Sequence, residues 1–258
     1  MCTVTIIRES SGAVRMVTSR DESPRRAPAM PPRWHTVAAG AKALWPVDPT
    51  GGGTWVAAAD SGVALTLLNC NPRTPPRLPP RDDLASRGAI IPSLIDSASA
   101  DEAIRRLTER DLSRYGPFRL VAINLHDDGL AIIEARWDYQ SLALVEHATA
   151  PVCFASSGLG DHRVEPRLDL FEEIVVAVGA TPEHQDAFHR HRWDDRPEIS
   201  VLMHRAEART VSICAMRLTP TDGEKVLIDA AYTPIDAPAG HQPDVRIVHP
   251  RAHSAHRP

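Results

Sequence analysis

Residues able to do chemistry gather at the start of this sequence, where Met1-Cys2-Thr3-Val4 sets a thiol directly behind the initiator methionine. Removal of Met1, efficient before a small residue, leaves a thiol and an α-amine on one residue. A free thiol with a pKa of about 8.5 is only a few per cent ionised near neutrality, so a base or a cation must activate it. The α-amine, with a pKa of about 7.7–8.0, is the nearest base. The pair is the cysteine counterpart of an N-terminal threonine nucleophile. The plain alternative is an ordinary second residue in a frayed terminus.

Other candidates also carry two readings. The triplet Arg20-Asp21-Glu22 follows an apolar run and is either a solvated turn or a charged group beside Cys2. A hairpin would bring residue 2 level with the late teens. Asn69 ends the apolar run 63–68; its amide either donates to a developing oxyanion or caps the turn into the next loop. Arg205 and Arg209 alternate along an expected strand, so one cavity can meet both, or both make surface salt bridges. Arg205 is the stronger candidate for an anion-binding wall. His184, His189 and His191 lack the i, i+4 spacing of a helical zinc pair. Their neighbours Arg190, Arg192, Asp194 and Asp195 suggest an exposed loop, so no metal is expected. Cys70, Cys153 and Cys214 read as inert core thiols.

The elements that must position these groups are mostly strands. Residues 2–8 and 13–18 flank the turn signal Ser10-Ser11-Gly12 and predict an opening hairpin. A Pro- and Arg-rich loop follows at 23–33, then a Gly51-Gly52-Gly53 turn before 54–58, and a strand buried on both faces at 63–68. Five prolines make 71–83 a surface loop. Ser99-Ala100-Asp101-Glu102 is a capping box that opens a helix. A second helical pattern runs from Asp169 to Val178. Between them, 119–125 and 129–136 predict a hairpin about Asp127-Asp128-Gly129, and strands return at 199–204, 208–217 and 224–233. Helices between two sets of strands predict a layered α+β domain of antiparallel sheets over 1–235, with a disordered tail at 236–258.

Composition narrows the function classes. A chain of 258 residues with 43% hydrophobic content can bury a full core. Its net charge of -4 is evenly spread, so no basic field draws nucleic acid or anionic lipid. A local arginine cluster still leaves acidic substrates open. Four distant cysteines, without a CxxC pair, fit a reducing cytoplasm. No apolar stretch approaches the roughly 20 residues of a bilayer span, so stable membrane insertion is not expected. The start lacks the basic region of a signal peptide.

The order of several short motifs resembles the NRDE family, also called transport and Golgi organisation protein 2-like. These motifs are Met1-Cys2-Thr3-Val4, Ser19-Arg20-Asp21-Glu22, Gly52-Gly53-Thr54-Trp55, Leu67-Leu68-Asn69, Ser86-Arg87-Gly88, Tyr115-Gly116-Pro117-Phe118, Ser156-Ser157 and the segment from Met203 to Ser212. Ser19 stands where the family motif has asparagine. The resemblance implies a four-layer αββα sandwich of the N-terminal-nucleophile hydrolase kind, similar to penicillin V acylase and bile-salt hydrolase. In those enzymes an N-terminal cysteine attacks an amide carbonyl. Carried onto this chain, it implies catalytic roles for Cys2, Arg20, Asp21 and Asn69. It also implies substrate-binding walls that include Ser19, Glu22, Trp55, Ser157 and Arg205. Two functions follow as expectations: hydrolysis of a linear amide through an acyl-enzyme at Cys2, or a non-catalytic carrier of haem or an acyl ligand. The family's links to haem trafficking and lipid metabolism support the second. No cofactor is expected, with haem at most a transient ligand, and homo-oligomers are compatible with either reading.

Overall fold

The computed structural model describes residues 2–126, 129–222, 226–235 and 245–248. Among the described residues, thirteen strands form two antiparallel sheets. The first has the order β10 (Val152–Ala155), β1 (Cys2–Arg8), β2 (Val14–Glu22), β11 (Arg209–Thr219), β12 (Leu227–Pro234) and β13 (Val245–Val248). The second runs in sequence order: β3 (Met30–Thr36), β4 (Lys42–Val47), β5 (Val56–Ala59), β6 (Val63–Asn69), β7 (Phe118–His126), β8 (Gly129–Trp137) and β9 (Leu142–His147).

The period-2 alternation of side chains makes the layers. Val4, Ile6, Val14, Met16, Cys214 and Met216 of the first sheet meet Leu44, Val56, Ala58, Leu68 and Val121 of the second in one dry core. The far face of the second sheet, with Leu65, Leu120 and Ala122, is covered by Ile90–Ile95 and by helix α1 (Ala100–Thr108). Ser99 Oγ accepts from Glu102 N at 3.1 Å, while the Glu102 carboxylate takes Ala98 N at 2.8 Å, so the capping box forms one residue further back than its minimal pattern. The far face of the first sheet is covered by α2 (Pro166–Phe171), its π-helical continuation Glu172–Val176, and α3 (Pro182–Arg190). Phe171, Val175 and Phe188 pack there on Ile7. The result is the expected αββα sandwich.

Some sequence expectations change. Residues 199–204 are not a strand: Ile199, Val201 and Met203 bury their side chains without a ladder. The neighbouring positions beside β2 are already taken by β1 and β11. The 184–198 stretch is not an exposed loop either, because Thr181 caps α3 and carries its first half. Most of the expected tail and the residues Asp127 and Asp128 lie outside the described residues; within the tail, Val245–Val248 pairs with β12. Among the described residues no helix is long and apolar enough to cross a membrane.

Candidate functional site

Strand pairing places Cys2 directly opposite Arg20, with Thr3 opposite Ser19 and Val4 opposite Thr18. The register is fixed by burial: a slip of one residue would turn Val4 and Ile6 out of the core. Cys2 and Arg20 therefore share one face at the open end of the sandwich. There they line a cleft of about 1350 Å³ with Asp21, Glu22, Trp55, Asn69 and Arg205. Asn69 comes from the end of β6 in the opposite sheet, next to Leu68 in the core.

Cys2 is buried, and burial pushes its thiol up from the ordinary value. Asp21 pushes the same way, while the chain's amino terminus, Arg20 and a backbone hydrogen bond from Asp21 act against it. The resting group is a thiol, so attack requires a base at the moment of bond formation. Cys2 N donates to Ser156 Oγ at 3.3 Å, and Ser156 N returns a bond to Cys2 O at 3.0 Å. Nothing in the sequence marks Ser156 as a partner of Cys2; it follows the short run Val152–Ala155, which pairs with β1.

Arg20 is held on three sides. Nη2 donates to Asp48 Oδ2 at 3.0 Å and to Glu22 Oε2 at 3.3 Å, and the guanidinium lies 4.8 Å from the Trp55 ring centroid. Arg26 also donates to Asp48 at 2.8 Å. Burial alone would raise the Asp48 carboxyl, but the Arg26 hydrogen bond, the Thr50 N–H and the charges of Arg20 and Arg26 hold it below its usual range. Neither Asp48 nor Arg26 stands out in the sequence. Asp48 is a lone charge just past β4 and Arg26 one of two adjacent loop arginines, and only the fold brings them to Arg20.

Asp21 behaves differently from its neighbours. Its backbone reaches Cys2, but its carboxylate accepts from Thr210 Oγ1 at 2.7 Å and lies 3.8 Å from Arg167 Nη1. Burial drives the carboxyl up, and Arg167, the amino terminus, Thr210 and Arg205 offset this in part. Burial likewise drives Arg167 down, against the attraction of Asp21.

Two expected wall residues are turned elsewhere. Ser19 does not line the cleft: alternation points it at the helical layer, where its hydroxyl meets His189 Nδ1 at 2.7 Å. Ser157 also lies outside the lining, and its Oγ accepts from Leu159 N at 3.2 Å in the turn behind the wall. Arg205 does line the cleft, but from a tight turn closed by Arg205 N to Ala208 O at 2.9 Å, not from a strand shared with Arg209. Arg209 begins β11 and pairs with Glu22.

His184 and His189 lie on α3 rather than in an exposed loop. His189 is fully buried, with Nε2 at 2.7 Å from Thr5 Oγ1, and burial, Arg15 and Arg167 bring its pKa down to about 3. It is a neutral structural imidazole. Burial pushes Cys153 and Cys214 up to about 12, in keeping with inert thiols, whereas Cys70 lines the cleft. Among the described residues no group of three His, Cys, Asp or Glu could hold a metal ion.

The fold is similar to that of many solved structures, among them these three. One is the Caenorhabditis elegans ortholog of N-acylethanolamine-hydrolyzing acid amidase, with TM-score 0.54, 11% identity, and coverage of 83% of this chain and 92% of that one. Penicillin V acylase from Agrobacterium tumefaciens gives TM-score 0.51 and 12% identity over 96% of this chain and 86% of that one. The C2A mutant of conjugated bile acid hydrolase from Clostridium perfringens gives TM-score 0.53 and 9% identity over 96% and 92%. At such identities the likeness is one of fold, that of the N-terminal-nucleophile hydrolases. No curated protein matches the chain in sequence. The family model described as Transport and Golgi organisation 2 matches residues 1–190.

Proposed function

The chain belongs to the Transport and Golgi organisation 2 family, and from that premise we propose that it is a cysteine hydrolase of linear amide bonds. The observation that carries this reading is the register pair Cys2–Arg20 at the inner end of a cleft large enough for a small-molecule amide. With Met1 removed, the α-amine of Cys2 occupies the nitrogen that Ser156 Oγ accepts from. This amine takes the thiol proton as Sγ attacks the carbonyl carbon. The carbonyl oxygen becomes an oxyanion, for which the Asn69 amide across the cleft is the donor. The C–N bond then breaks, the proton leaves with the amine, and water hydrolyses the thioester to restore the thiol. Arg20, fixed by Asp48, Glu22 and Trp55, orients the reacting groups and favours the thiolate form.

Intact-mass analysis tests the reading. The expected result is a chain that begins at Cys2 and gains one acyl group from an acyl amide or thioester panel, with no adduct in Cys2→Ala. Retention of Met1, or an adduct that persists in Cys2→Ala, overturns it.

A second reading, a carrier for an acyl ligand or haem, is favoured by the size of the cleft and by a thiol that burial keeps protonated. Its signature is saturable binding that survives Cys2→Ala with no covalent adduct in the parent protein.

A further inference from the structure

The Ser86-Arg87-Gly88 motif has no part in the reaction above, yet the fold clamps it against the cleft. Thr54 N donates to Gly88 O at 3.1 Å, and the two loop backbones lie so close that a Cβ on Gly53 would meet Gly88 C and O at 2.4 Å. Only glycine at 53 allows this approach. The turn Arg87–Ala89 is thereby locked, and Arg87 Nη1 donates to Pro117 O at 2.7 Å. The guanidinium lines the cleft within electrostatic reach of Cys2 and Glu22.

Its charge balance is unlike that of the other buried cleft arginines. Arg20 and Arg26 are matched by Glu22 and Asp48. Arg87 is half-buried and forms no ion pair with a described carboxylate; one carbonyl accepts one of its donors. Arg81 stands on the same wall and repels it. Like charges brought together and partly desolvated cost free energy unless an anion joins them. A planar guanidinium offers paired donors that match a carboxylate. The loop before Arg81 adds apolar lining at Pro72, Pro75, Pro76, Leu78 and Pro79, interrupted by Arg73.

We propose that Arg87, seconded by Arg81, is an anion-binding pole of the cleft, and that the substrate is an N-acyl amino acid whose carboxylate meets Arg87 while its acyl chain lies along the proline wall. This rests on the reading of Cys2 as an amide-cleaving nucleophile, but its binding part is separable from it.

The experiment therefore measures binding in the Cys2→Ala chain, by calorimetry, with N-dodecanoylglycine and its neutral isostere N-dodecanoylglycinamide. The expected result is a roughly ten- to hundredfold preference for the carboxylate, the range of one charged hydrogen-bonded pair. Arg87→Gln reduces this preference to about twofold with little change for the glycinamide, and Arg87→Lys retains part of it. Exposed Arg81→Gln, which threatens no buried contact, lowers it by a smaller factor. Equal affinity for the two ligands, failure of both to bind, or a preference that survives Arg87→Gln overturns the proposal. If the preference holds while the parent chain forms no acyl-enzyme, the anion pole stands and the hydrolase reading falls.

Discussion

The two faces of the β1–β2 hairpin are built from the same strands and have opposite characters. On the cleft face, Cys2 and Arg20 are joined by Glu22 at the end of β2 and by the loop residues Asp48 and Trp55: Asp48 and Glu22 grip the guanidinium, and Trp55 lies against it. On the other face, Thr3, Thr5 and Ser19 are wholly buried and bonded to helix side chains. Arg167 Nη1 donates to Thr3 Oγ1 at 2.6 Å, Gln185 Nε2 donates to Thr5 Oγ1 at 2.7 Å, and His189 bridges Thr5 and Ser19. One face keeps its polar groups where a ligand can reach them. The other uses polar groups as fixed pegs between sheet and helices. A polar residue on a strand that borders the cleft is thus not a site residue by virtue of its sequence position; within the hairpin, the face it points to separates Ser19 from Arg20.

The comparison can be broken by substitutions on either face. The largest effect is expected at Arg167→Met, which leaves the buried Asp21 carboxylate without its main counter-charge and Thr3 without its donor. Removing one partner of a buried ion pair costs about 3–5 kcal/mol, so urea unfolding should show a loss of that size. A loss below about 1 kcal/mol would mean that the back face is not a structural anchor. Next comes Asp48→Ala on the cleft face. Arg20 and Arg26 lose their shared acceptor, so acylation of Cys2 should slow on the order of tenfold to a hundredfold through misplacement. The melting temperature should move far less than in Arg167→Met. A large stability loss with unchanged acylation would exchange the roles of the two faces.

The smallest effect is in pH dependence. His189 has a folded pKa of about 3, below its unfolded value, so the unfolded chain binds the extra proton between those values. Its contribution to stability is complete above about pH 6.5 and declines as the pH falls toward 3. The slope approaches about 1.4 kcal/mol per pH unit for one proton. Unfolding of parent and His189→Gln chains between about pH 4 and 7 should show a shallower acid slope in the variant. Equal slopes would mean that His189 does not stay neutral in the fold.

The sequence by itself determined the hairpin that begins at Cys2, the strand at 63–68, the hairpin of β7 and β8, the α1 capping box and the placing of Cys2 beside the end of β2, which the pairing sets at Arg20 rather than in the late teens. Each of these is written in local signals: alternation, turn residues, or a cap followed by an apolar stripe. It also named Cys2, Arg20, Asn69 and Arg205 as residues of one site, and all four line the cleft. Only the tertiary structure decided which neighbours complete that site. Asp48 and Arg26 reach it from loops and Ser156 from just past β10, through contacts tens to well over a hundred residues apart in the chain. The fold also sent Ser19 and His189 to the back of the sheet. The short signals at β3, β9 and β10 could not carry that information. The partner of a charge, and the side of a sheet it serves, are set by which strands pair and what packs over them.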